Sequence, residues 1–281
     1  MPDRPSAQEP TVTWVMVSYG GVDDARELYD SLAIQPGDPA RDAHVVIACN
    51  GAGDGDLARR VFADELARGG VTVLDFPDNP GYLPALRRTL SQVEADGAVV
   101  LSNCDLTADA AFLPALREAL ARFPRALTLA PSIVNELGQD QNPHLLRPRP
   151  TWWLRGLAIL HRFPPLADVM LLRRGGHSSL VVKNGVEGQT MWSGHGSCVV
   201  FAPEFFARGG SLDYPFPLFG EELWIGAEVE RLAGEVRYVP ALRLRHRAHA
   251  STGSGRRRGW VARVQYEGLA YWAREGRRRG W

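Results

Sequence analysis

Residues 71–105 read VTVLDFPDNPGYLPALRRTLSQVEADGAVVLSNCD, and this stretch decides the fold class. VTVLDF (71–76) is β-branched and apolar enough for a buried strand. From Pro84 to Gly97 the apolar spacing becomes helical, and AVVLSN (98–103) is strand-like again. A strand, a helix and a strand in so short a span predict a right-handed βαβ unit with parallel strands. The same alternation runs upstream. TVTWVMVSY (11–19) and HVVIACN (44–50) read as strands, and DDARELYDSLA (23–33) and DLARRVFADELARGG (56–70) as helices. The expectation is an α/β fold with a Rossmann-like, mainly parallel central sheet flanked by helices. Ligands bind such sheets beyond the carboxyl ends of the strands. Those ends are Ser18-Tyr19, Cys49-Asn50, Phe76–Gly81 and Asn103–Asp105.

Asn103-Cys104-Asp105 raises its own question, because an amide, a thiol and a carboxylate end a buried strand. Taken alone it has three readings: a metal ligand, a surface turn, or a cap in which Asp105 or Thr107 opens the helix around AAFLPALREALARF. A second stretch, GAGDG (51–55), resembles a dinucleotide loop but is spaced GxGxG and follows the second strand. Asp54 and Asp56 would repel a pyrophosphate there, which argues against a dinucleotide site.

The remainder is less regular. Residues 135–192 hold many Pro, Gly and Arg, with Trp152-Trp153 and the apolar piece GLAILHRF (156–163). The segment reads either as a lid or as surface loops with scattered core anchors. GHGSCVVFA (194–202) should be a strand, GEELWIGAEVERLAGE (220–235) a helix, and VRYVPALRLRHRA (236–248) should contain another strand. From Ser254 a basic, aromatic helix is bracketed by Arg256–Arg258 and Arg277–Arg279.

Composition narrows the class. Lys+Arg and Asp+Glu are both 32 in 281 residues, so net charge offers no argument for a nucleic-acid partner. Cys49, Cys104 and Cys198 are scattered, which suggests neither a disulfide framework nor a zinc site and fits a reducing cytoplasm. MPDRPSAQEP lacks an apolar signal core, and no run reaches the roughly 18–20 apolar residues of a membrane span. The expectation is a cytoplasmic protein, at most peripheral at the inner face of the membrane. The tail helix suits such a contact with anionic lipid, suits a phosphorylated ligand, and suits plain packing on the domain.

In order, VTWVMVSYGG, HVVIACNGAGDGD, DNPGYLPALRR, VVLSNCDLTAD, MWSGHGSCVVFAPEFF and FPLFGEELWIGAEVERLAGEVRYVPALRLRHRAHAST resemble a family 2 glycosyltransferase of the rhamnosyltransferase-like bacterial branch, with the GT-A fold, over roughly residues 11–275. The resemblance implies roles position by position. Val17, Ser18 and Tyr19 would lie along the nucleotide. Cys49-Asn50 stands where the family has Asp-Asn, so the Asp that contacts the base is absent. Asn79 and Gly81 would lie under the nucleotide. Asn103-Cys104-Asp105 matches the metal motif, with Asp105 as ligand, His246 as helper, and Asn103 and Cys104 beside the donor. Trp192, Gly194 and His195 would line the sugar and acceptor. Glu221-Glu222 matches a Glu-Asp pair, making Glu222 the catalytic base, and Trp224 stands where a further acid is common.

The chemistry independently asks for these residue types. A sugar leaves a nucleoside diphosphate only if the departing charge is stabilised, which Mg²⁺ or Mn²⁺ does on one or two carboxylates plus phosphate oxygens. The acceptor hydroxyl needs a base on the opposite face. The implied function is an inverting, metal-dependent transfer from a UDP- or dTDP-sugar to a glycan, lipid-linked or small-molecule acceptor, with no nucleic acid involved. Residues 11–110 would hold the nucleotide-sugar, 111–253 the acceptor and catalytic half, and 254–281 the basic tail. Taken singly, Glu221-Glu222 is equally a pair that complements a helix dipole. Cys49 and Trp224 motivate a second reading, a GT-A-like binding module without activity. A third, a sugar-phosphate nucleotidyltransferase, suffers because VSYGGVDDA lacks a basic residue.

Overall fold

In the computed structural model, residues 12–35, 43–95, 97–162, 185–247 and 258–281 are described. The leader, the Arg256-Arg257 part of the first arginine triplet and much of the expected lid lie outside these residues.

Strand β1 (Val12–Ser18) alternates Trp14 and Met16 on one face with Val15 and Val17 on the other, so it is the axis of a sheet covered on both sides. It pairs in parallel with β2 (His44–Cys49) and β4 (Ala98–Asn103), and β2 pairs in parallel with β3 (Val71–Asp75). Helix α1 (Val22–Ala33) buries Ala25, Leu28 and Leu32, an i, i+3, i+7 stripe, against the Trp14 face. Helices α2 (Asp54–Val61) and α3 (Ala63–Ala67) replace the single helix expected over 56–70, with Phe62 between them fully buried against Tyr29. Helix α4 (Tyr82–Leu90) covers the opposite face.

Beyond β4 the sheet becomes mixed. The order is β3-β2-β1-β4-β8-β6-β9-β5, with β7 beside β9. Here β5 is Leu106–Ala108, β6 Ala126–Asn135, β7 Thr190-Met191, β8 Cys198–Phe201 and β9 Glu235–His246. β8 runs antiparallel to both β4 and β6, and β9 is parallel to β6. One continuous sheet thus joins the two halves of the chain. The Trp14 face is closed by α5 (Phe112–Arg122), whose Phe112 ring sits 5.0 Å from Trp14. The other face carries α7 (Pro203–Ala207), α8 (Glu221–Arg231) and α9 (Arg258–Arg279), and α6 (Thr151–Arg162) packs along α9.

Two expectations change. The cap reading of Asp105 and Thr107 fails, because residues 106–108 form β5 on the edge of β9, and α5 starts at Phe112 without a side-chain cap. The segment 135–192 is not all loop, since α6 and β7 fall within it. Among the described residues no helix is long and apolar enough to cross a membrane.

Candidate active site

Leu106 pairs with His246 across β5 and β9, and this register sets Asp105 against the end of β9. His246 Nε2 lies 3.4 Å from Asp105 Oδ2, while Asp105 Oδ1 is buried without a hydrogen-bond partner. The Arg247 N–H donates to the Asp105 carbonyl (2.9 Å), and the Arg247 guanidinium pairs with Asp24 and Glu27 of α1, so the end of β9 is tied down. On the far side of the imidazole, Gln141 Oε1 lies 2.8 Å from His246 Nδ1. The Gln141 oxygen can accept a hydrogen bond from Nδ1, and Nε2 faces Asp105.

Gln141 also reaches His195, its Nε2 3.4 Å from the ring Nε2. His195 is fixed further by its own N–H donating to Asn142 Oδ1 (2.9 Å) and by Ser197 Oγ 2.9 Å from Nδ1. His144 packs edge-on, 5.2 Å from it between ring centroids. Burial first, then His144, pushes the His195 pKa down to about 4, so the ring is neutral at physiological pH. The next residue, Gly196, donates its N–H to Glu222 Oε1 (3.3 Å), and a Cβ there would stand 2.9 Å from that oxygen. The loop 194–197 therefore spans from the Asp105–His246 pair to Glu222 at the start of α8.

The two carboxylates of Glu221-Glu222 are not equivalent. Glu221 Oε2 is buried and unpartnered, although the residue as a whole keeps some exposure. Burial, and then the neighbouring Glu222 carboxylate, raises the Glu221 pKa to about 8. A carboxyl so placed favours its protonated form. Gly220, at φ +96°, delivers the chain into α8 where a Cβ would strike Tyr214 and Trp272.

The positions expected on the donor side gather along the carboxyl edge of β1, β2 and β4. The Cys104 thiol is buried, donates to the Val17 carbonyl (3.4 Å) and is held well above its usual pKa by burial. The Asn103 N–H donates to the Ser197 carbonyl (2.9 Å), joining this edge to the histidine loop. Ser18 Oγ accepts from the Gly21 N–H. Tyr19 is exposed at this edge. Asn50 donates through Nδ2 to the Gly81 carbonyl (2.9 Å), whereas its Oδ1 is buried without a partner. Asn79, at φ +46°, is exposed before Gly81.

Several expected contacts fall elsewhere. The Cys49 side chain is fully buried in the Trp14-face core, with its pKa raised to about 12 by burial and by Asp54 and Asp75, so it presents nothing to a nucleobase. Gly81 meets the Pro217 backbone, not open space, and Gly194 packs against Ala130 of β6. Trp192 lies over Gly226 of α8 and against Trp281, with Nε1 3.4 Å from Glu230, further along α8 than Glu222. Trp224 explains the missing acid: its indole donates to the Ser211 carbonyl (2.7 Å) and packs in a cluster with Tyr214 and Trp272. Sequence reasoning missed Gln141, Asn142 and Asp54. Asp54 Oδ2 accepts from the Gly20 N–H (2.6 Å) and Ser18 Oγ (3.4 Å), clamping the loop after β1. The sequence signal for Gln141 and Asn142 was weak, since both lie in a segment without periodicity.

No protein-family model matches the chain, and no curated protein does. Solved structures do. A structure of GalNAc-T7 with UDP, GalNAc and Mn²⁺ matches at TM-score 0.58 and 15% identity over 85% of this chain. A structure of S. aureus TarS (residues 1–349) matches at 0.55 and 12% over 84% of this chain. The mannosyltransferase PcManGT from Pyrobaculum calidifontis, in complex with GDP-Man and Mn²⁺, matches at 0.55 and 17% over 95% of this chain. The fold is GT-A. This chain spans 44%, 60% and 66% of the length of those three structures respectively. At such identities the likeness is one of fold, and function has to be argued from the site.

Proposed function

We propose that the protein is a glycosyltransferase that moves a sugar from a nucleoside diphosphate to an acceptor hydroxyl with inversion, using a divalent cation. The carrying observation is the Asp105–His246 pair with its unpartnered buried oxygen, linked through the His195-Gly196 loop to Glu222. The Asp105 carboxylate suits Mn²⁺ or Mg²⁺, and an imidazole beside it favours Mn²⁺ of the two. Among the described residues no cluster of three protein ligands forms, so phosphate oxygens of the donor would complete the coordination. When bound, the ion supplies charge stabilisation at the departing diphosphate.

The chain's own groups do the rest. Glu222 takes the proton of the acceptor hydroxyl, oriented by the Gly196 N–H on Oε1. Glu221, sequestered and protonated, does not compete for that role. The neutral His195 ring offers hydrogen bonding between the two stations without adding charge. Asn50 Oδ1 offers an acceptor to a base N–H where Cys49 offers nothing. The acceptor is a glycan, a lipid-linked sugar or a small molecule, and the donor a UDP- or dTDP-sugar. The domain reading stays as proposed from sequence: 11–110 for the donor, 111–253 for the acceptor and catalysis.

Buried Cys49 also favours a second reading, a nucleotide- or glycan-binding module without turnover. One experiment separates the two. Donor-sugar panels are assayed for transfer or hydrolysis with the wild type and with Glu222→Gln, which keeps an oxygen for the Gly196 N–H. The transferase reading expects turnover that falls roughly 10²–10⁴-fold in the variant with donor binding retained. Undiminished turnover in Glu222→Gln would remove Glu222 from its role, and binding without turnover in the wild type would favour the module.

A further inference from the structure

We infer that the α6 face docks on an anionic lipid bilayer. Trp152, Arg155, Ile159 and Arg162 are spaced 3, 4 and 3 residues apart and form one stripe along α6. Trp152 is 74% exposed and Ile159 63%, far more than side chains of this kind need be in a helix that packs on another. The opposite side of α6 buries Leu154 and Ala158 toward the domain, so the exposed stripe is not an unfinished core. Neither Arg155 nor Arg162 has an acidic partner among the described residues.

Charge identifies the occupant. Residues 147–162 and 258–281, which include the two packed helices, carry ten arginines and two glutamates. That leaves +8 on these two segments and, because the formal net charge of the chain is zero, −8 on the remainder. The asymmetry orients the molecule with α6 and α9 toward an anionic surface. Trp and Ile then enter the interface while arginines reach the headgroups, as in interfacial helices. A second copy of the same face is disfavoured, since it would oppose two surfaces of +8. Trp260, 38% exposed at the start of α9, adds a further interfacial aromatic. From sequence the α9 tail suited a lipid contact, a phosphorylated ligand or plain packing; the exposed apolar side chains place the centre of the proposed contact on α6. The inference stands independently of the transferase reading, because lipid binding needs no turnover.

The test is co-sedimentation of the full chain with phosphatidylcholine vesicles, with and without phosphatidylglycerol, across a salt series. Binding is expected only to the anionic vesicles and should weaken as salt rises. Trp152→Ser/Ile159→Ser and Arg155→Gln/Arg162→Gln change exposed side chains only, and thermal unfolding checks that both variants fold. The arginine pair should lower partitioning roughly thirtyfold, and the apolar pair at least tenfold. Wild type that ignores anionic vesicles, or variants that bind as well as wild type, would overturn the inference. So would a wild-type dimer that the apolar variant converts to a monomer, since the face would then be a self-interface.

Discussion

Glu221→Gln tests the division of labour between the paired carboxylates. Burial and the adjacent Glu222 raise the Glu221 pKa from 4.5 to about 8 in the folded chain. Between those values the unfolded chain releases this proton while the folded chain keeps it. The folded state therefore binds more protons, and its stability falls as pH rises through the window, levelling above about pH 8. Each pH unit corresponds to about 1.4 kcal/mol, which sets an upper limit on the order of 5 kcal/mol. Local relaxation and water entry reduce that to a few kcal/mol. Glutamine has no proton to lose. The Tm of Glu221→Gln minus that of wild type should be near zero at pH 4.5 and grow to roughly 5–10 °C at about pH 8.5. Taking the difference removes the contributions of His144 and His195, whose lowered pKa values destabilise the fold as pH falls below 6.5 in both proteins. Thermal unfolding followed by circular dichroism across pH provides the measurement. Parallel curves for the two proteins would refute a sequestered, protonated Glu221, and with it the reason for assigning proton removal to Glu222.

Two further substitutions probe the frame around the site. Gly81→Ala places a Cβ into the Pro217 backbone at a φ of +102°. It should cost roughly 2–4 kcal/mol, visible as a lower Tm by calorimetry, whereas an unchanged Tm would mean that the 216–220 loop is not held there. Gln141→Leu removes the oxygen that faces His246 Nδ1. Mn²⁺ affinity measured by electron paramagnetic resonance should fall about 10–100-fold with little change in Tm, and an unaltered affinity would contradict the arrangement.

The parallel half of the fold was legible because its strands are continuous β-branched runs and its helices carry one apolar stripe each. VTWVMVS and AVVLSN needed no tertiary information. The mixed half was harder to read. ALTLAPSIVN contains a proline and became the buried strand β6 only because β8 and β9 supply its partners. β5 is too short to signal itself and exists through its register with β9, which is also what brings Asp105 to His246. Asp105, His246 and Glu222 could be named from motif order. Their link through Gln141 and His195 could not, because it depends on a loop folded around Asp140, whose carboxylate accepts from Ser132, Tyr238 and two backbone N–H groups. Where the Cys49 side chain points could not be read from sequence, because a residue at a strand end can face either side; this one faces the core.

Asp105 as the cation and diphosphate station is the central element of the proposed mechanism. Isothermal titration of UDP, dTDP and GDP into the wild type and Asp105→Asn, each with Mn²⁺ and with a chelator, tests it most directly. At least one diphosphate should bind the wild type with Mn²⁺ and be lost on chelation, while Asp105→Asn shows no Mn²⁺-dependent binding. Absence of binding for every diphosphate, or binding indifferent to both chelator and substitution, would contradict it.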